Sequence, residues 1–143
     1  FLDEKTIFAV SDDRIMFFEG AQIPVTTVEH LLDEEVQRIY YGTDSVGLVF
    51  NNTDNSNRYR LDVYHKSGQL SHSISFDMEF TDIVFAEDQI IIYNESECQV
   101  YNMKGVEKYN GYFDKAVYSL IPGSSAYKYT LITADSIDTV ELK

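Results

Sequence analysis

Short apolar segments alternate with polar turn segments along most of this 143-residue chain. The clearest stretch is residues 80–105. Its run of Ile90, Ile91 and Ile92 has no polar alternation, so we expect this strand to be buried on both faces. With the polar residues that follow Gly105, the stretch predicts four strands in a row: 80–85, Gln89–Tyr93, 98–102 and 106–112.

The predicted strands become more polar from the second to the fourth. A glycine at position 105 permits the positive φ of the turn between the last two strands. In a four-stranded β-propeller blade, inner strands pack against neighbouring blades while the outer strand meets water. The polarity gradient therefore indicates a blade of this kind.

Other parts of the chain repeat this stretch. A shift of 75 positions places residues 6–18 on 81–93, and a shift of 44 places 36–49 on 80–93, with apolar residues aligned at most strand positions. A shift of 37 places Val63, Tyr64 and Gly68 on Val100, Tyr101 and Gly105. These spacings are close to those of four-stranded blades.

The repeats predict one all-β domain of antiparallel, propeller-like blades. We count about three and a half units, at approximately residues 1–35, 36–78, 79–115 and 116–143. This number is too small to close a ring of ordinary propeller size. The sequence therefore predicts a partial propeller, in which strand edges near residues 1–8 or 139–142 lie open to another chain.

One segment has a competing interpretation. Thr26 and Glu29 could form a capping box for a helix over residues 27–41. Strands are favoured for Val36–Tyr41, because the 44-residue match continues through this segment, and a short helical turn within 28–35 would be compatible with it. The apolar residues at helical spacing are Val28, Leu31, Leu32, Val36, Ile39 and Tyr40.

Two strands carry predictions about burial. Residues 14–18 are apolar enough to expect burial on both faces, as in the 80–105 stretch. Leu70–Phe76 instead alternates, with Ser71, Ser73 and Ser75 on a face that we expect to be solvated. We therefore expect Ser73→Ala to change stability by no more than about 0.5 kcal/mol.

Composition and charge narrow the range of partners. The chain has 11 Lys and Arg against 24 Asp and Glu, a formal charge of −13, so its average surface repels phosphate and nucleic acid is not an expected partner. Apolar runs are well below the roughly 20 residues that span a bilayer, so no membrane insertion by this segment is expected. The first residue is Phe1 rather than Met, which suggests a processed or partial chain.

The residues that could carry chemistry are dispersed. His30, His65 and His72 have no metal-ligand spacing, and Cys98 is the single cysteine. Residues 52–57 resemble the start of a calcium loop, but the loop's central glycine and closing acid are missing. The serines at 124 and 125 follow a Pro-Gly turn. We therefore predict no metal site and no cofactor.

Clustered acids raise the possibility of glycoside hydrolysis, which uses two carboxylates. However, Asp13, Asp44 and Asp88 occupy equivalent turn positions in three units, where Asp commonly bonds to turn backbone. We therefore predict no catalytic residue and no enzyme activity. The clusters are Asp12 with Asp13, Asp33 with Glu34 and Glu35, and Glu87 with Asp88.

The chain resembles the C-terminal part of an uncharacterised family of membrane-anchored, extracytoplasmic propeller-like domains of Gram-positive bacteria. The residues that carry the resemblance are 61–64 with Gly68, 99–101 with Gly105, 118–122 and the closing 139–142. The resemblance implies an extracytoplasmic location and an anchor in a segment upstream of this chain. It supplies no catalytic residues.

These observations favour a non-enzymatic binding or scaffold module of the bacterial cell envelope. Its expected partner is a protein or the rest of a propeller, and pairing of open strand edges makes a homo-oligomer possible. The alternative is the C-terminal fragment of a propeller enzyme whose catalytic residues lie upstream.

Overall fold

The computed structural model describes residues 1–52, 57–123, 125 and 127–142. Across these residues the chain forms fourteen strands in four antiparallel sheets, and no helix is present among them. The prediction of an all-β, blade-like fold is confirmed. The chain divides into two compact units, Phe1–Asp77 and Met78–Lys143.

The first unit contains two sheets. The first sheet has the order β1-β2-β3 and the second has the order β4-β5-β6-β7. Hairpins join successive strands within each sheet, because every pairing is antiparallel between neighbours in sequence. The strands are β1 (Thr6–Val10), β2 (Arg14–Glu19), β3 (Val25–Leu31), β4 (Val36–Tyr41), β5 (Ser45–Asn51), β6 (Tyr59–His65) and β7 (Leu70–Phe76).

The second unit also contains two sheets. The third sheet has four strands in the order β11-β10-β9-β8, and the fourth has three in the order β12-β13-β14. The strands are β8 (Asp82–Phe85), β9 (Gln89–Tyr93), β10 (Glu97–Asn102), β11 (Glu107–Tyr112), β12 (Ser119–Pro122), β13 (Lys128–Ile132) and β14 (Ile137–Glu141). The division of the sequence into repeat units stays a prediction.

Glycines shape two equivalent turns. Gly68 and Gly105 have φ values of 85° and 76°, in the left-handed region that glycine adopts without steric cost. Gly68 also meets a close neighbour, since a Cβ at this position would lie 2.7 Å from the Cβ of Val28. The predicted turn role of both glycines is confirmed, and Gly68 additionally lets the first sheet approach the second.

The helical interpretation of residues 27–41 is wrong. Strand β3 covers Val25–Leu31 and pairs with β2, while β4 covers Val36–Tyr41 and pairs with β5. The linking residues 32–35 form no helical turn. Pairing with β2 determines this outcome, because the apolar Val28 then faces Phe17 across the sheet.

The expectation for residues 14–18 is also wrong. Ile15 and Phe17 are fully buried, whereas Met16 and Phe18 on the opposite face of β2 are only partly buried. In contrast, every residue of β9 is buried, as the absence of polar alternation predicts. The apolar pattern of β2 therefore overstates its burial.

Each unit has its own hydrophobic cluster. In the first unit, Ile15 and Phe17 pack with residues of the second sheet, among them Leu48 and Phe50. In the second unit, side chains of the third sheet pack against Leu120, Tyr129 and Leu131 of the fourth. Burying these side chains supplies about 25 cal/mol per Å² of apolar surface, so sheet-on-sheet packing is the main stabilising contact within each unit.

The two sheets of the first unit run in opposite directions. The β1–β2 turn, with Ser11 and Asp12, lies beside the beginning of β4, because these residues and residues 35–39 line the same hollow. Asp3, before β1, lies near the β4–β5 turn, since Lys66 Nζ is 3.8 Å from Asp3 and 2.5 Å from Asp44. Strand β1 is therefore antiparallel to β4.

The two sheets of the second unit run in the same direction. The β8–β9 turn and the β12–β13 turn lie at the same end, where both line one cavity. At the other end, the backbone N–H of Leu120, near the start of β12, donates to the Tyr93 hydroxyl at 3.3 Å. Tyr93 pairs with Asp82 at the start of β8, so β8 and β12 are parallel, as in consecutive propeller blades.

Candidate functional site

Each of the three histidines has a hydrogen-bond partner within the first unit. His30 Nε2 is 2.5 Å from the Gly68 carbonyl oxygen, and His65 Nδ1 is 2.9 Å from the Ser67 hydroxyl. His72 is partly buried, and this burial lowers the pKa of its imidazole. Within the described part of the chain, no group of three or more His, Cys, Asp or Glu side chains could hold a metal ion.

Two of the three equivalent turn acids, Asp13 and Asp44, pair with cations. Asp13 accepts hydrogen bonds from Arg14 Nε and Nη2 at 2.8 and 2.7 Å, and this bonding lowers the pKa of the Asp13 carboxyl to about 2. Asp44 pairs with Lys66 at 2.5 Å. Turn backbone is instead bound by the side chains of Asp3, Asn94 and Asn102.

Some candidate residues lie outside the described part of the chain. This group includes residues 53–56, which are four positions of the calcium-like segment 52–57. It also includes Ser124, the first serine after the Pro-Gly turn. Its neighbour Ser125 is exposed. Cys98 is buried, and burial raises the pKa of its thiol to about 12, so this cysteine is not a reactive nucleophile.

A polar cluster lies at the start of β6 in the first unit. Arg60 contacts Glu34 at 3.0 Å and Asp62 at 3.1 Å, and its guanidinium lies 4.7 Å from the centre of the Phe50 ring. Asp62 also accepts a hydrogen bond of 2.6 Å from the Ser73 hydroxyl. Glu34 Oε2 is buried and has no hydrogen-bond partner among the described residues, so the single guanidinium of Arg60 pairs with both carboxylates without bonding to all of their oxygens.

The second unit contains a cavity of about 440 Å³ between the β8–β9 and β12–β13 turns. This volume is in the range of small-ligand sites. Tyr127, in the β12–β13 turn, has a φ of 66°, which is uncommon for a residue with a side chain. The described residues that line the cavity are Ala86, Glu87, Asp88, Gln89, Pro122, Gly123, Ser125, Tyr127, Lys128 and Tyr129.

Gln89 is the unusual group in this cavity. Its residue is 2% exposed, and among the described residues no donor lies within hydrogen-bond distance of its buried Oε1. Leaving a buried acceptor unsatisfied costs about 1–3 kcal/mol. Because this oxygen is enclosed by protein atoms, a molecule in the cavity does not reach it in this structure.

The cavity is electrically negative on one side. Glu87 and Asp88 line it from the β8–β9 turn. Burial raises the pKa of the Tyr129 hydroxyl to about 12, and the negative charge of Asp88 contributes to this shift. The Tyr129 hydroxyl therefore stays protonated at neutral pH, in a cavity that is lined by Lys128 as well as by Glu87 and Asp88.

Sequence reasoning did not identify this cavity. The prediction that Glu87 and Asp88 lie in a turn is confirmed. The turn of the fourth sheet that completes the cavity comes more than thirty residues later in the chain. One signal was available. Gln89 is the polar residue in a strand that is otherwise apolar on both faces, and a polar residue in such a strand must be buried.

Open strand edges form a second candidate surface. The third strands of the two complete sheets, β6 and β10, are each covered by a fourth strand, whereas β3 and β14 have no described strand on their outer sides. Large apolar side chains are exposed on both, including Leu31 on β3 and Ile137, 73% exposed, on β14. Exposed edges of this kind can pair with another strand.

Comparison with known proteins places the chain in a family without giving it an activity. No curated protein matches it. Among solved structures, the AfRom2 CNH domain is similar at 10% sequence identity and a TM-score of 0.37, and the matched region covers 96% of this chain and 60% of that one. Across the described residues, no helix is long and apolar enough to cross a membrane. The model of a family of unknown function (DUF5711) matches residues 1–142, so the chain belongs to that family.

Proposed function

We propose that this chain is a non-enzymatic binding or scaffold module of the bacterial cell envelope. It acts by pairing an open strand edge with a strand of another polypeptide, and a second copy of this chain is the partner that we test. The supporting observation is the uncovered third strand, β14, beside complete sheets in which the same position is covered. The envelope location rests on the family resemblance alone.

The backbone of β14 has donors directed away from its sheet. Thr133 N–H donates to Ser136 and Leu142 N–H donates to Tyr127 at the two ends of the β13–β14 pair. Hydrogen-bonded pairs alternate along antiparallel strands, so Thr139, opposite Thr130, belongs to a pair whose N–H and C=O groups point outward. An incoming strand would bond to these groups.

Proline at position 139 tests this proposal. Thr139→Pro removes the outward N–H while leaving the bonds to β13, because proline is tolerated where a strand N–H faces solvent. We expect light scattering to show a mass that rises with concentration for the unmodified chain and a constant monomer mass for Thr139→Pro. The control Thr139→Val keeps the N–H and a β-branched side chain, and it should still associate.

One outcome of the light-scattering experiment would contradict the proposal. A monodisperse monomer at high micromolar concentration, with the Thr139 amide already protected from hydrogen exchange, would contradict edge pairing. Circular dichroism would establish that Thr139→Pro keeps its β-structure.

The alternative, a fragment of a propeller enzyme, makes a different prediction about the flanking gene sequence. A binding module predicts further blades whose acids occupy turns. An enzyme predicts a cluster of acids or histidines upstream that does not repeat from blade to blade.

A further inference from the structure

We infer that the strand which pairs with β14 carries a serine, threonine or asparagine opposite Asp138, and that this side chain donates a hydrogen bond to the Asp138 carboxylate. The inference rests on the proposed function and adds the chemistry of the partner strand to it. It comes from comparing the fourth sheet with the two sheets in which a fourth strand is present.

The third strands of these sheets share one polar position. In each sheet, a buried leucine or isoleucine of the second strand lies opposite a polar residue of the third strand. The pairs are Leu48 with Asp62, Ile92 with Gln99 and Leu131 with Asp138. Asp62 and Gln99 are equivalent, because each lies six residues before the glycine of the turn that follows its strand, Gly68 or Gly105.

The hairpin before the third strand extends this equivalence to Asp138. Gln99 and Asp138 each lie two residues after the residue whose carbonyl oxygen closes the preceding hairpin. That residue is Glu97 in the third sheet and Ser136 in the fourth. Asp138 is therefore the counterpart of both Gln99 and Asp62.

A polar side chain of the fourth strand lies opposite this position in both complete sheets. Ser73 on β7 lies opposite Asp62, and its hydroxyl donates a 2.6 Å hydrogen bond to Asp62 Oδ1. Asn110 on β11 lies opposite Gln99. Serine and asparagine side chains are both hydrogen-bond donors, so each described fourth strand offers a donor at the position that faces the open edge of β14 in the fourth sheet.

The Asp138 carboxylate is accessible to such a donor. Its side chain is exposed on β14, where it lines a hollow of about 330 Å³ with Tyr109 and Val140. Asp138 Oδ2 accepts a 2.6 Å hydrogen bond from the Ser136 hydroxyl. An ionised carboxylate has about four acceptor positions, so Asp138 can accept a further bond from the open side of the strand.

The backbone of β14 places the two side chains close together. The N–H and C=O groups of Thr139 point outward, so those of its neighbour Asp138 point inward, toward Leu131. Asp138 and the residue opposite it on an incoming strand would therefore form a non-hydrogen-bonded pair, in which side chains lie closest. An acid at the opposite position would be repelled by Asp138.

A peptide with the sequence of β7 is the probe for this inference. It comprises residues 70–76 with blocked ends and two added lysines on each side, because β7 occupies the place beside β6 that is open beside β14. In the equivalent register, Ser73 of the peptide would stand opposite Asp138. Three variants of the peptide carry Ser73→Ala, Ser73→Asp or Ser75→Ala.

Nuclear magnetic resonance titration of the intact chain, at concentrations where it is monomeric, measures binding through the Thr139 amide. We expect the Ser73→Ala peptide to bind about tenfold more weakly than the unmodified peptide, the loss expected for one hydrogen bond to a charged group. The Ser73→Asp peptide should bind more weakly still. The Ser75→Ala peptide is the matched control on the same face of the strand and should bind like the unmodified one.

Variants of the chain locate the effect at Asp138. Asp138→Ala should bind the unmodified peptide and its Ser73→Ala form with equal affinity. Ser136→Ala removes the local hydrogen bond but keeps the carboxylate, so the tenfold preference should remain. Circular dichroism would establish that both variants keep their β-structure.

Failure of this inference differs from failure of edge pairing. If the Ser73→Ala peptide binds the unmodified chain as tightly as the parent peptide, or if Asp138→Ala keeps the tenfold preference, β14 pairs with strands but the inferred partner chemistry is wrong. If no peptide shifts the Thr139 amide, edge pairing at β14 is itself wrong, and the inference is overturned with it.

Discussion

The two units contain similar sheets but arrange them differently. In the second unit, the third and fourth sheets run in the same direction, as consecutive blades do, and their first turns share one cavity. In the first unit, β1 is antiparallel to β4. The β1–β2 turn and the β4–β5 turn therefore lie at opposite ends of the second sheet. Only the blade-like arrangement brings two equivalent turns together to form a cavity.

The number of strands before each link accounts for this difference. After three antiparallel strands, the chain leaves the sheet at the end where the second strand began. After four strands, it leaves at the end where the first strand began. Residues 32–35 then link β3 to β4, and residues 113–118 link β11 to β12. Links this short oblige the next sheet to start nearby, so an odd number of strands reverses its direction and an even number preserves it.

Cross-linking should give an all-or-none test of the antiparallel orientation of β1 and β4 in the first unit. Cysteines at Asp3 and Lys66 should be joined by a short bismaleimide, because these side chains are neighbours in the first unit. Cysteines at Asp12 and Asp44, in the two first turns, should not be joined. The native Cys98 should not compete, since it is buried and its thiol pKa is raised to about 12.

Mass spectrometry would identify the linked pairs. A cross-link between positions 12 and 44, with none between 3 and 66, would mean that the first two sheets stack like blades.

Truncation of matched positions should show a large difference in stability. Ile91 is fully buried on β9, and Met16, its counterpart 75 residues earlier, is only partly buried on β2. Ile91→Ala should lower the free energy of unfolding by about 2–5 kcal/mol, and Met16→Ala by about 1 kcal/mol. Denaturant unfolding measures both, and equal losses would show that the second face of β2 is buried in solution.

A smaller effect is expected on the outer strand of the second sheet. The exposed Ser73 donates a 2.6 Å hydrogen bond to Asp62, which is 8% exposed. Ser73→Ala should therefore cost about 1–2 kcal/mol, because it removes a bond to a buried charged group. This exceeds the 0.5 kcal/mol that the alternating pattern alone predicts.

Ser75 provides the control for this measurement. It is exposed on the same face of β7, and Ser75→Ala should change stability by less than about 0.5 kcal/mol. If the two serine variants have equal stability in denaturant, the bond to Asp62 contributes nothing to folding.

The sequence by itself determined most of the strands and turns and the burial of β9, but not strand β3. These features depend on local patterns, such as the Ile90–Ile92 run and the turn glycines Gly68 and Gly105. The alternation of apolar and polar residues along a strand indicates which of its two faces is buried. This alternation therefore identified the all-β fold. Residues 27–41 fit both a helix and strands, and only the pairing of β3 with β2 decides between them.

The tertiary structure alone decided which sheet faces meet and which turns lie together. Met16 and Phe18 are as apolar as Ile15 and Phe17, yet only the second pair is buried, because that face of β2 packs against Leu48 and Phe50 of the second sheet. The cavity around Gln89 likewise depends on two turns distant in sequence. Sheet packing joins residues through space, and a pattern read along one strand does not contain that information.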